Sequence, residues 1–536
     1  MIGILKNSFL WKAAAQLRSW AEKSVLHSLS AFFKRSYSRS LTKTIFARFC
    51  EVPNRAHGSV YGRICSRVSA RISMLAPAVS GSIVFRLLRA LLSFITRLVQ
   101  NSRLAFLAKV CTIRRLILLS LVLSVCVDYF FRNVITVTVI ASAWDEALIL
   151  AALSYVIYRR ASSRLPKPCR TTPVDSYLLL FIGVGFFLMC VVSPYPGVAF
   201  AGYRAVVEYM VWFFLVVRLI DNDGDVMAFY GAMVLLSLLM ALHGIYQYIV
   251  AVPIPAGWVS QTEAGVRTRV FSIIGSPNIL GSFFVLTAPM AAGLAYYFKD
   301  IRLKIGCWCA VFLMCLALLF TFSRGAWIGM AVAVLVFAVF IDRRLIALMM
   351  AGASLALLFV PSIANRITYL FTADYVTASM TGGRMVRWDT ARQLLFDSNP
   401  VLGFGLGRFG GAVAMQNKLL EETDTFKYFY IDNYYLKTEV EMGILGLICF
   451  LLLLFGLLLW SIRSVGRIKG DRTAFLGQAM LAGMCGVLVH CYFENIFEVP
   501  YMVSYFWAMG ALIFYLGYFR NGRRKTPPGS QILTGK

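Results

Sequence analysis

Twelve apolar runs follow one another between residues 116 and 519, and they leave little choice of fold. Segments this long and this apolar belong in hydrocarbon, where each backbone polar group must be bonded inside its own segment, so the runs are expected to be helices. They lie near 116–131, 143–158, 174–192, 198–219, 226–250, 277–298, 304–322, 326–341, 345–360, 434–461, 476–492 and 497–519. The first two, 326–341 and 345–360 fall short of the roughly 20 residues a span takes. With 59% hydrophobic residues, 15% charged and a mean hydropathy of +0.72, a soluble fold is excluded. The expected class is an all-α polytopic membrane protein of about 12 transmembrane helices.

Charge gives those helices a direction. The net charge of +28 is concentrated in residues 1–115, which hold 20 Lys and Arg against Glu22 and Glu51. Lys and Arg beside spans favour the cytoplasmic side. With the arm inside, the even-numbered connections should also be basic, and Arg159, Arg160, Arg164, Lys167, Arg170, Lys299, Arg302, Lys304, Arg343, Arg344, Arg463, Arg467, Lys469 and Arg472 all fall there. The fourth connection has Arg218 but also Asp221, Asp223 and Asp225, and does not bear on the alternation. Both termini are then cytoplasmic, including a basic tail at 520–536. The arm interrupts its apolar residues with Arg or Lys, as in Ile83 to Leu98, and reads either as basic amphipathic helices on anionic lipid or as a tail that sets orientation. A nucleic-acid partner is not expected. The cysteines sit mostly in apolar runs and read as core residues.

The same alternation puts Arg267, Arg269, Arg324 and the polar stretch Pro361 to Asp432 outside, where positive charge is disfavoured. Charge kept against the topology marks a site for an anionic group. The polar stretch reads as a structured loop, 361–433. Trp388, Ala391, Leu394 and Leu395 have helical spacing within Val386 to Phe396, and Pro400, Gly403, Gly405, Gly407, Gly410 and Gly411 mark a turn-rich segment after it. The organisation expected is a basic arm at 1–115, spans in 116–360, the partly helical extracytoplasmic loop at 361–433, and three more spans in 434–519.

Three motifs share the outer side in order. Ser323-Arg324-Gly325 ends one span; Gly383-Arg384 is followed by Trp388 and Ala391, then by Pro400 and Gly403-x-Gly405-x-Gly407; Asp432-Asn433 precedes Gly443-x-x-Gly446 by nine residues. Together, from about 307 to 450, they resemble the O-antigen ligase and O-antigen polymerase superfamily, membrane glycosyltransferases of the GT-C type. The resemblance implies transfer of a glycan from undecaprenyl diphosphate to the hydroxyl of a glycan or lipid acceptor, at the outer face of a bacterial cytoplasmic membrane. It implies Arg324 and Arg384, then Arg267, Arg269 and Arg387, as diphosphate binders, and Asp432 as the catalytic group, supported by Asn433, Tyr435, Glu439, Gly443 and Gly446. The ligases carry His where this chain has Asp432, and none of His27, His57, His243 and His490 falls at that position. A carboxylate can serve as the base, so the departure favours a polymerase or another acceptor.

Several residues keep second readings. Asp432 suits the N-cap of a helix starting at Tyr434. Glu439 or Glu441 suits a pairing with Lys437 or an outer arginine, Arg204 and Glu208 suit an ion pair, and Gly443 and Gly446 suit close helix packing. No Asp-x-Asp motif lies on the outer side, so neither metal nor cofactor is expected. A lipid-linked oligosaccharide flippase or polysaccharide exporter would also need arginines for a diphosphate, but charges along a path and repeat symmetry would be expected of it.

Overall fold

The computed structural model describes residues 60–74, 112–161, 170–253, 268–373, 377, 384–419, 430–468 and 470–520. Among these residues the secondary structure is entirely helical. The chain divides into two compact units, Met1–Arg67 and Val68–Lys536. Of the first, only 60–67 are described, the start of a helix, Val60–Met74, that exposes Arg63, Arg67 and Arg71 at four-residue intervals. The segment Ile83 to Leu98 lies outside the described residues.

Each of the twelve apolar runs is helical. Seven helices are long and apolar enough to cross a membrane, and Asp175–Val191, Arg324–Phe340 and Arg344–Phe359 are shorter apolar helices. The first run is broken at Leu123 and ends in a wide turn, Phe131–Ile135. Eight helices frame the site: α1 (Asp223–Val250), α2 (Pro277–Tyr297), α3 (Ile301–Phe320), α4 (Arg324–Phe340), α5 (Arg384–Asp397), α6 (Tyr434–Gly466), α7 (Thr473–His490) and α8 (Pro500–Phe514).

Helix α2 is the centre of the bundle, with 94% of its apolar window buried, and it packs on α3, α4 and α7. Small residues let these backbones meet. A Cβ at Gly486 would lie 2.5 Å from the Gly329 carbonyl, and one at Gly483 would lie 2.4 Å from the Leu286 carbonyl. Such approach gives dispersion contact to helices that gain no hydrophobic energy from leaving lipid. Aromatic side chains fill the space between the other helices, with Phe213 set edge-on to Trp507 and Phe514. Among the described residues most cysteines are buried or half-buried, but Cys190 and Cys309 are exposed on helix surfaces.

One end of the bundle is closed by ion pairs. Asp221 meets Arg114, Arg159 and Arg170; Asp225 meets Arg115 at 2.9 Å; Arg520 bridges Asp223 at 2.7 Å and Asp471 at 2.6 Å. The acids of the fourth connection, which told nothing as charge bias, are the counterions of the basic residues around them. Burial acts to raise the Asp221 carboxyl, but Arg159, Arg114 and Arg170 outweigh it and hold the group below its ordinary range.

Within 361–433 the helix expected over 386–396 is α5, and its buried Ala391 and Leu395 form a small core with Phe404, Phe409, Ile431, Leu436 and Val440. That core fixes the loop to the first two turns of α6. Gly443 has φ +67 and interrupts α6. The helix bonds lost there are replaced by loop backbone: Phe404 N–H donates to Val440 O (2.7 Å), Gly405 N–H to Glu441 O (3.1 Å), and Ile444 N–H to Pro400 O (2.9 Å). A Cβ at Gly443 would sit 2.2 Å from the Val401 carbonyl. Gly443 therefore seats the loop rather than a neighbouring helix, and the atoms nearest a Cβ at Gly446 belong to Met442 of its own helix.

Candidate functional site

The opposite end of the bundle, where α2, α4 and α6 begin and α3 and α7 finish, gathers most of the expected site. The three elements arrive by different means. Phe322, buried and with φ +51, turns the chain sharply between α3 and α4. A bulky residue in the left-handed region costs about 1–3 kcal/mol, held here by the packing of its ring. The turn puts Arg324 on the first residue of α4, half-buried. Gly325 then lies so close to α7 that a Cβ would be 2.8 Å from both the His490 ring and Phe493 Cβ.

Asn433, not Asp432, caps α6: its Oδ1 accepts from Leu436 N–H at 3.1 Å, and Tyr434 N–H donates to Cys491 O at 2.9 Å. This corrects the capping alternative and leaves Asp432 facing α5. Arg384 Nε donates to Asp432 Oδ2, Arg387 approaches the same oxygen at 3.6 Å, and Trp388 Nε1 donates to Oδ1 at 3.3 Å. Arg384 also donates to the Phe493 carbonyl at 3.1 Å. Arg387 Nε is buried without a hydrogen-bond partner among the described residues, so the seat holds an unused donor.

Arg269 is 6% exposed. It donates through Nε to Thr321 O at 3.0 Å, at the negative end of α3, and through NH2 to Asn278 Oδ1 at 3.0 Å. The Asn278 amide donates in turn to Glu494 Oε2, and Asn495 N–H donates to Glu494 Oε1 at 3.1 Å. Burial pushes the Glu494 carboxyl above its ordinary range and the Asp432 charge adds to this, while the bonds from Asn495 and Asn278 and the Arg384 charge pull the other way. Arg267 lies outside the described residues.

The remaining expected residues build the frame. Tyr435 donates to Leu488 O at 2.7 Å and packs on Phe450, tying α6 to α7. Lys437 pairs with Glu441 and Glu498, both at 2.7 Å, beneath the glycine-rich loop, where Phe409 N–H and Ala412 N–H donate to these carboxylates. Glu439 is half-buried and pairs with no described residue. Arg204 pairs with Glu146 at 2.5 Å and Glu208 at 3.5 Å.

Electrostatically, the seat is positive twice over. Arg324, Arg384 and Arg387 all lie in the first turns of α4 and α5, at the ends where helix dipoles already place partial positive charge. Cations there oppose the dipole, an arrangement that suits an anionic ligand. Among the described residues no three His, Cys, Asp or Glu side chains gather to hold a metal ion.

Residues 309–451 match the family model for O-antigen ligase. The match supports the O-antigen ligase and polymerase superfamily and suggests a membrane enzyme acting on surface polysaccharide. It covers Arg324, Arg384, Arg387, Asp432 and the α6 break, and stops short of α7. No curated protein matches the chain.

Residues outside the matched segment thus line the same end of the bundle. Asn278, Glu494 and His490 are not among the residues the sequence motifs mark. His490 does not fall at the motif position of Asp432, yet folds back beneath Gly325, buried, with Nδ1 2.5 Å from Ser282 Oγ. The available signal was the polar run Glu494-Asn495 in a connection the alternation places outside.

Proposed function

We propose that the protein is a metal-independent glycosyltransferase of a bacterial cytoplasmic membrane. It polymerises surface polysaccharide, or ligates it to another acceptor hydroxyl, from an undecaprenyl-diphosphate-linked glycan. The observation that carries the reading is the convergence, inside the O-antigen ligase match, of Arg384 and Arg387 on Asp432, with Arg384 also reaching the carbonyl of Phe493, which packs on the first turn of α4 that bears Arg324. A lipid diphosphate gains negative charge as its bond to the sugar breaks. Guanidinium groups fixed in place, with an unused donor at Arg387 Nε, supply paired hydrogen bonds to that charge without a metal ion.

In this reading Arg324, Arg384 and Arg387 receive the diphosphate, Arg269 backs the seat, Arg267 joins from beyond the described residues, and a carboxylate of the site serves the acceptor hydroxyl. Both termini lie in the cytoplasm, the site faces outward, and the basic arm rests on anionic lipid. The test uses membranes bearing the protein and the lipid-diphosphate glycan fraction from cells lacking it. Wild type should consume the donor and release longer or transferred glycan, and Arg324→Ala, Arg384→Ala and Asp432→Ala should each lose this. Unchanged transfer in all three would sink the enzyme reading. Donor carried across the bilayer but not consumed would favour the flippase or exporter instead.

A further inference from the structure

We propose that Glu494 is the carboxylate that takes the proton from the acceptor hydroxyl, and that Asp432 is a positioning residue for the arginines. The inference rests on the glycosyltransferase reading above and divides the labour of its two carboxylates. Both carboxylates are bonded on both oxygens, but the partners of Asp432 include cations, Arg384 and Arg387 at Oδ2, beside Trp388 at Oδ1. A carboxylate used this way orients guanidinium groups.

Glu494 is held differently. Its partners, the Asn278 amide and the Asn495 backbone N–H, are neutral, and Asn278 is itself held by Arg269. The side chain is thus fixed in orientation without a directly bonded cation to lower its basicity, and burial raises its affinity for a proton. It also lies beside the seat: the adjacent residue, Phe493, gives its carbonyl to Arg384. A base must stand next to the leaving-group site without occupying it. Glu494 meets that condition, and Asp432 lies within the arginine cluster itself.

The step balances without another reactant. The acceptor O–H proton passes to Glu494, and the oxygen electron pair forms the bond to the anomeric carbon. The bond from that carbon to the phosphate oxygen breaks, and its pair leaves on the diphosphate, which the arginines hold. Glu494 then returns the proton to solvent.

Measuring kcat and donor KM on the same lipid-diphosphate glycan fraction, with the full chain in membranes, separates the roles. Glu494→Gln keeps the size and an oxygen for Asn278, so it should lower kcat about 10²–10⁴-fold with donor KM within about threefold of wild type. Formate should partly restore Glu494→Ala. Asp432→Asn should act chiefly on donor KM, because the arginines lose their anchor. Wild-type kcat in Glu494→Gln would overturn the inference, as would a kcat loss in Asp432→Ala that formate restores at unchanged donor KM. A wild type that never consumes donor would overturn the underlying function; an active wild type with an active Glu494→Gln overturns only the role of Glu494.

Discussion

The two ends of the helix bundle use arginine in opposite ways. At the end where α1 and α7 begin, Arg114, Arg115, Arg159, Arg170 and Arg520 meet Asp221, Asp223, Asp225 and Asp471, so each of these guanidinium groups has a carboxylate partner. At the other end Arg269 is bonded to a carbonyl and an amide, and Arg384 divides its donors between Asp432 and a carbonyl. Neutral acceptors satisfy hydrogen bonds without cancelling charge. The first set is a clasp of ion pairs; in the second, guanidinium charge is held partly by carbonyl and amide oxygens, which leaves it available to an anion.

The sharpest way to break this comparison is to exchange outcomes between the ends. Arg384→Ala should lower transfer about 10²–10³-fold, as removal of a fixed donor to developing charge does, with little change in Tm. Asp221→Asn should do the reverse, costing about 2 kcal/mol because it strands arginines at a half-buried site, while the molecules that remain folded keep their turnover. Thermal unfolding in detergent beside the glycan assay reads both. A loss of stability in the first, or of turnover per folded molecule in the second, would remove the distinction.

Acid should separate the ends without mutation. The Asp221 carboxyl is held below its ordinary range, so its stabilisation is present above the unfolded value and is lost only as pH falls through the lower, folded one. Glu494, facing Asp432 and Arg384 with Arg269 behind Asn278, is raised, so its ionised form is disfavoured by folding and it takes up a proton at higher pH. On descending pH, turnover should therefore fall before Tm does, since protonating Glu494 relieves a cost of folding while Asp221 is still ionised, and Glu494→Gln should lack that acid limb. Coincident loss of turnover and Tm would count against two separate titrations.

What the sequence made legible follows from the range of each interaction. The apolar runs became helices because their periodicity and length are local, and α5 begins two residues before its expected start for the same reason. The meeting of Arg384, Arg387 and Asp432 was legible through motif order alone. Asp432 against Asn433 as the cap was not, since both side chains suit an N-cap and the α6 backbone decides between them. Gly443 read as a packing glycine because the loop that fills its break approaches from 40 residues earlier in the chain, at Gly403. Asn278 lies at the start of α2 and Glu494 in the connection after α7, and neither residue signals the other in sequence.

The smallest expected effect tests whether position or mere charge makes the seat. Arg392 is on α5 with Arg384 and Arg387, yet it points to solvent and pairs at 3.2 Å with Asp389, the two side chains being 55% and 67% exposed. An exposed pair of this kind contributes about 0–1 kcal/mol and is screened by salt. Arg392→Ala should therefore leave turnover within about twofold of wild type and stability within about 0.5 kcal/mol. If it instead costs as much as Arg384→Ala, the anion is drawn by the summed field of the helix, and added salt should then weaken donor capture in both proteins alike. If it costs nothing, binding is a matter of which guanidinium groups stand at the helix N-terminus against Asp432, and salt should change donor KM far less than removing either of them.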